Sequence, residues 1–396
     1  MHQHGAFLIT FALALLFLLG FMGFALDFGR LFIVKTELQT ALDSCALAAA
    51  RELNSQPDAL TRAVGAGMAA GNQNRANLQS AGWNGQGQIA GSNITFRRGD
   101  YTPTNDPLAA RYARCEYTMG GIRLWLLQAM GAFSNDAAGY PSTGSVGSFA
   151  VATRASAQSA CPIPVALQPK TPSAKKPDYG YVPGEWLPLL SKANGGSTFG
   201  WANLDGSNSA SETAQELQGH CGSKIGDTLG TPGVQASVVE VWNQRFGIYK
   251  NKNNAGPSVN RPDFTGYIFD STTWPSQFNA YQGSPGINFI ARRQSFTPCG
   301  NNPSSCGQKG GGFNDVATTA EHQQYGADRR LVTVPIVNSG RQLIDFACML
   351  MLEPMSIPVG DVQLEYLGNA GAAGSPCVSS GLAGGTAGPL VPVLVR

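Results

Sequence analysis

Charge is scarce in this sequence. Of its 396 residues 13% are Asp, Glu, Lys or Arg and the net charge is +2, against roughly 25% charged in an ordinary globular chain. There is no long basic or acidic run, so a nucleic-acid role has no electrostatic footprint. Histidine is rarer still, at four. With no C-x-x-C pair and no H-E-x-x-H, a structural or catalytic zinc site is not expected. No G-x-S-x-G occurs, and the glycines of "CGQKGGG" (306–312) lack a G-K-[ST] ending, so neither a hydrolase elbow nor a phosphate loop is in view.

What the sequence has instead is glycine (49), proline (24) and an apolar content of 43%. That composition is loop-rich yet apolar enough to bury a core, which excludes wholesale disorder. The length suits two or three domains. Eight cysteines, an even number, stand behind an N-terminal apolar segment. This points to an oxidising compartment and to disulfides, although single cysteines are also common core residues.

The apolar segment is "GAFLITFALALLFLLGFMGFALDFGR" (5–30). Ala6 to Leu26 is 21 residues without a charge, about 30 Å as a helix, which matches a hydrocarbon core. A signal peptide has a basic n-region and an apolar stretch of about 7–15 residues. Here the flank is "MHQHG" and the stretch is longer, so a retained anchor is expected. Beyond Asp27, apolar residues recur at Leu31, Val34, Leu38, Leu42, Cys45, Ala46, Ala49 and Leu53. Those three- and four-residue steps mark one face of a helix. One helix is therefore predicted from about 5 to about 54, stopped by Pro57, its first half for lipid and its second half striped for a soluble body. Small residues Gly5, Ala12, Gly20 and Gly23 are candidates for close helix packing, with chance the competing explanation in so Gly- and Ala-rich a run. Leu16 marks the run's middle. Arg30 and Lys35 downstream would place the body in the cytoplasm by the positive-inside rule. The cysteines and the Gly/Asn/Ser-rich body argue for export, and large domains cross regardless of flank charge.

These first 50 residues resemble TadG/TadE-like proteins of tight-adherence (Flp) pilus systems. The resemblance is carried by the apolar run, by Asp27, Gly29 and Arg30, and by Leu38, Gln39, Ala41, Asp43, Ala46, Leu47 and Ala48. The sequence departs from the family in having no basic residue before the run. Gly5 fits a prepilin cleavage site, but Thr10 stands where a prepilin has Glu. A less specific likeness continues through "FGWANLDGSNSASETAQEL", "VWNQRFGIY" and the C-terminal strands. The resemblance implies a long helix followed by a pilin-like antiparallel sheet.

The body reads as α+β. A short helix is expected at 58–72, weakened by Gly65 and Gly67. Strands are expected at "SNITFRRG" and "RYARCEYTM". "GIRLWLLQAMGAF" (121–133) reads as an apolar helix, with a membrane-surface segment as the alternative. "SFAVATRASA" (148–157) reads as a strand with Val151 and Thr153 alternating against Ala150 and Ala152. Seven prolines in 161–190 suggest a stiff connection or a wrapping loop. Val234, Val238, Val241 and Trp242 have helical spacing. Residues 330–338, 342–352 and 361–368 are expected strands, the second apolar on both faces and hence central. Val362, Leu364 and Tyr366 alternate with Gln363 and Glu365, as in a half-exposed strand. "PLVPVLVR" is an edge strand because of Pro392. The predicted organisation is 1–56 transmembrane and amphipathic helix, 57–160 pilin-like domain, 161–190 Pro-rich connection, and 191–396 loop-rich β domain with a C-terminal antiparallel sheet.

Polar candidates are few. Asp205, Ser207 and Ser209 have the D-x-S-x-S spacing of a von Willebrand A metal site, while Asp-Gly followed by Ser and Asn is also an ordinary turn. His220 beside Cys221 is better explained as a loop with a disulfide cysteine than as a catalytic pair. Arg245 between the aromatics of "WNQRF" reads as an Arg–aromatic contact inside the fold. Cys299 and Cys306, seven apart and flanked by Pro298, Gly300, Pro303 and Gly307, are expected to pair. Cys348 with Cys377, Cys45 with Cys115 and Cys161 with Cys221 are the accompanying assignments.

The sequence thus predicts a non-catalytic, membrane-anchored minor pilin-like or assembly component without a cofactor. Its partners would be the cytoplasmic membrane and other pilus-assembly subunits or pilins, not nucleic acid, in an oligomer or filament. The body would be periplasmic, or surface-exposed within a pilus. Two rivals remain: a metal-dependent adhesin using Asp205, Ser207 and Ser209, and an anchored envelope hydrolase.

Overall fold

The computed structural model describes residues 4–85, 87–134, 136, 138–189, 199–232, 236–250, 256 and 260–395. Residues 1–3 of the upstream flank, and Val234, lie outside the described residues. The fold is α+β: a long apolar N-terminal helix is followed by a mainly antiparallel β-rich body. The chain divides into two compact units, Met1–Arg154 with Pro392–Arg396, and Ala155–Val391.

In the first unit the apolar and striped segments form one helix, α1 (His4–Arg51). From Val34 on, its stripe is buried: Leu38, Leu42, Cys45 and Ala49 are fully shielded. They pack against α2 (Ala59–Asn72) and a four-stranded sheet ordered β1 (Ile94–Arg97), β2 (Tyr112–Arg123), β3 (Thr143–Ser156), β12 (Leu390–Leu394). Pro392 lies in β12, an edge strand. Gly67 is not merely a weak point of α2. A Cβ there would come within 2.9 Å of Ile94 Cδ1, and at Gly71 within 3.1 Å of Cys45 Cβ and 3.2 Å of the Ala41 carbonyl oxygen. Glycine lets the two helices touch backbone to side chain.

Two expectations need adjusting here. The segment 121–133 is divided: Ile122 and Arg123 still pair with β3, and α3 (Trp125–Ser134) begins only after them. In β3, Ala150, Val151 and Ala152 are all buried, so the strand is not shielded on one face alone.

The second unit is built on a six-stranded sheet ordered β5 (Trp186–Leu189), β11 (Val362–Asn369), β10 (Leu343–Met351), β9 (Leu331–Val337), β4 (Val165–Leu167), β6 (Phe199–Trp201). The strand pairs in it are antiparallel except β4 with β9. The strand apolar on both faces, β10, is internal. Residues 161–190 do more than connect: they supply β4 and β5, and Tyr179 and Tyr181 enter the core. Strand β4 lies between Pro164 and Pro169, whereas β5 contains Pro188, which pairs with Gln363 at the sheet's edge, where a missing N–H is tolerated. Helices α4 (Ala210–Gly219) and α5 (Ala236–Gln244) pack on each other, with Val238, Val241 and Trp242 buried. Residues Ile248–Tyr249 (β7) and Asp315–Val316 (β8) form a small ribbon.

Glu365 departs from the half-exposed pattern. It is fully buried on β11. Trp186 Nε1, opposite it on β5, donates to its Oε2 at 3.1 Å, and the N–H groups of Ala280 and Tyr281 donate at 2.6 and 3.1 Å. Alternation reports sidedness, but here a loop covers the outer face and the carboxylate satisfies that loop's donors.

Candidate functional site

The most prominent surface feature is α1 itself. Between Leu8 and Ile33 most of its described large apolar side chains stand exposed, as with Phe17 at 70% and Phe32 at 66%, while Leu31 is half-buried against the core. The helix is long and apolar enough to cross a membrane. At Val34 the same periodicity changes role and the stripe becomes core. One continuous helix thus carries both an unsatisfied apolar surface and the body's central packing element. Ala12 is exposed on it, Gly5 lies in its first turn, and the Leu16 side chain is outside the described residues.

Gly20 and Gly23 are occupied from within the chain. A Cβ at Gly23 would lie 3.1 Å from Leu126 Cβ, and one at Gly20 would lie 3.7 Å from Met130 Sδ. Helix α3 is seated on them, running antiparallel to α1. Asp27, 4% exposed, holds its start: Oδ2 accepts the Leu126 N–H at 2.9 Å and the Leu127 N–H at 2.7 Å. These are orphan donors of a helix's first turn, and an anion there also complements the helix dipole. Arg30 stacks over Trp125 at 4.5 Å. In the sequence Asp27 closes the apolar run and belongs with Gly29 and Arg30 to the stretch that resembles the pilus family, and neither feature ties it to a second helix. The available signal was the uncharged stretch 124–134, too short to span a membrane yet too apolar for water.

The polar candidates form a closed turn between β6 and α4. The Asp205 carboxylate accepts the Ser207 N–H at 2.9 Å, which holds its pKa below the ordinary value. Ser207 Oγ donates to Glu212. Beneath them Asn203 is fully buried: Nδ2 donates to Ser207 Oγ at 3.0 Å and to the Ser209 carbonyl at 2.7 Å, and Oδ1 accepts the Thr213 hydroxyl at 2.6 Å. Glu216 accepts the Leu204 and Asp205 N–H groups; burial raises its pKa. The structure therefore brings Asp205 and Ser207 together through a backbone N–H, with the polar atoms engaged by one another. Among the described residues no group of three or more His, Cys, Asp or Glu is placed to hold a metal ion.

His220 follows α4, and Cys221 is bonded to Cys161. The other disulfides are Cys45–Cys115, Cys299–Cys306 and Cys348–Cys377; no described cysteine is free. Arg245 is buried, but its guanidinium donates to the carbonyls of Arg329 and Leu217, both at 2.6 Å. The cation over Phe246, at 4.2 Å, belongs to Arg330. Burial lowers the pKa of each arginine to about 9.

Residues 5–52 match the model of a family described as putative Flp pilus-assembly TadE/G-like. The match covers α1 from its first turn to its end. No curated protein and no solved structure matches the chain.

Proposed function

We propose that this chain is a membrane-anchored, non-catalytic component of tight-adherence pilus assembly, acting as a minor pilin-like or assembly subunit. The carrying observation is α1, whose lipid-type surface from Leu8 to Ile33 passes without a break into the core stripe beginning at Val34. Such a helix couples whatever surrounds its first half directly to the body. The family match over the same residues supports the pilus context. Four disulfides support a body on the oxidising side of the inner membrane. Its partners are then the membrane and other pilus subunits.

The test compares two variants at matched protein levels. Leu16→Arg places a charge mid-run, at about 2.5–3.5 kcal/mol of insertion free energy, and should reduce surface pili and attachment. Asp205→Ala should leave both nearly unchanged. Should Asp205→Ala abolish attachment in a calcium- or magnesium-dependent way while Leu16→Arg is tolerated, the metal-dependent adhesin is the better reading.

A further inference from the structure

We infer that α3 is a second lipid-contacting element, and that the hairpin between β2 and β3 dips beside α1 into the leaflet on the body's side. This rests on the anchor reading of α1 and adds a membrane-embedded site belonging to the body.

The exposed apolar surface of α1 is too long for its anchor role alone. Leu8 to Ile33 is 26 residues, about 39 Å against a hydrocarbon core of about 30 Å. Its charged residues are Asp27 and Arg30, and α3 engages both. The Asp27 carboxylate takes two N–H groups of the α3 first turn, and Arg30 lies over Trp125. An open carboxylate facing hydrocarbon is costly. Covered by a helix N-terminus, it no longer interrupts the surface, which continues to exposed Phe28, Phe32 and Ile33.

The surface that α3 leaves uncovered has the same character. No charged residue lies between Leu124 and Ser134; Trp125 at 61%, Leu126 at 39% and Met130 at 37% keep exposed area although they rest against α1, and Ala129 and Ala132 are exposed beside them. Contiguous apolar surface of this kind marks an interaction site. Trp125 stands at the end nearest the body, where the ring of an interfacial tryptophan sits. The exposed cations Arg123 and Lys35, with Arg30, lie in the flanks of that same end, which suits phospholipid headgroups. This placement of cations at one end of an uncharged helix favours lipid over a protein groove. At the far end Asp136 accepts the Gly139 N–H. A charge is costly at the bilayer centre, so the hairpin runs obliquely and turns back within one leaflet.

The experiment uses the full chain in vesicles of phosphatidylethanolamine and phosphatidylglycerol. Because no described cysteine is free, Ala129→Cys on the exposed side of α3 can carry a nitroxide. Leu13→Cys on α1 and Ser380→Cys on the body serve as references. Collisions with oxygen, which enters lipid, are compared with those of a water-soluble nickel chelate. The expected result is a shift of the Ala129 label from nickel to oxygen preference, matching Leu13. A label at Ala129 that behaves like Ser380 overturns the inference, as does one immobilised and shielded from both reagents, which would mean a protein partner. Leu13 in lipid with Ala129 in water refutes this inference alone, whereas Leu13 in water refutes the anchor reading and this one with it. Ala132→Cys supplies the same reading should the first variant not fold.

Discussion

The Asp27 carboxylate accepts the backbone N–H of Leu126, 99 residues along the chain, at 2.9 Å. The residue that ends the uncharged run is therefore the N-terminal cap of a different helix. Its position in α1 fixes where α3 begins, and the glycines one and two turns earlier give α3 its seat.

Asp27→Ala should remove that cap. Loss of an N-cap costs about 1 kcal/mol, so the Leu126 and Leu127 amides should exchange with solvent roughly fivefold faster. Met349, in the internal strand β10, should be unaffected. Unchanged exchange at Leu126 and Leu127 would show that the carboxylate does not hold the helix.

The disulfides should differ in worth according to the loops they close. Cys45–Cys115 closes 70 residues and Cys299–Cys306 closes seven. In the chain-entropy model these contribute about 4 and about 2 kcal/mol. Denaturant titration of Cys45→Ala/Cys115→Ala and of Cys299→Ser/Cys306→Ser in micelles measures both losses. An equal or reversed order would mean that native packing, not chain entropy, sets their contribution.

Asn203 should matter more than Asp205. Asn203→Ala leaves the buried Thr213 hydroxyl and the half-buried Ser209 carbonyl without their hydrogen bonds, at about 3 kcal/mol. Asp205 is exposed, and Asp205→Ala loses one turn bond, about 1 kcal/mol. Thermal melts of both variants, with and without calcium or magnesium, distinguish a structural turn from a cation site. A cation-induced rise in melting temperature that Asp205→Ala removes would reinstate the metal reading.

Glu365 should make the second unit pH-sensitive. Burial raises its folded pKa to about 7, while the unfolded group titrates near 4.3. Between these values the folded state binds the extra proton, so unfolding free energy falls as pH rises, by up to about 4 kcal/mol, and levels off above about 7. Glu365→Gln should be less stable at low pH, because its amide N–H₂ meets donors, but its stability should vary less from pH 5 to 8. Equal slopes for wild type and variant would exclude Glu365 as the source.

By itself the sequence determined the elements whose signal is local. The apolar steps from Leu31 to Leu53, with Pro57 behind them, specify one long helix, because side chains three and four apart share a helix face. The two-sided apolar run at 343–352 specifies an internal strand, and Pro392 an edge. What only the tertiary structure decided is who meets whom across long separations. Gln363 and Glu365 share one face of β11 by period, but Trp186 and the 280–281 backbone bury Glu365. Arg245 stands beside Phe246 in sequence, yet Arg330 stacks on that ring. Asp27 closes an apolar run in the sequence and opens α3 in the fold. The physical reason is common to all three. Periodicity records which side of an element faces away from water, whereas a buried charge goes wherever the chain brings it unsatisfied partners.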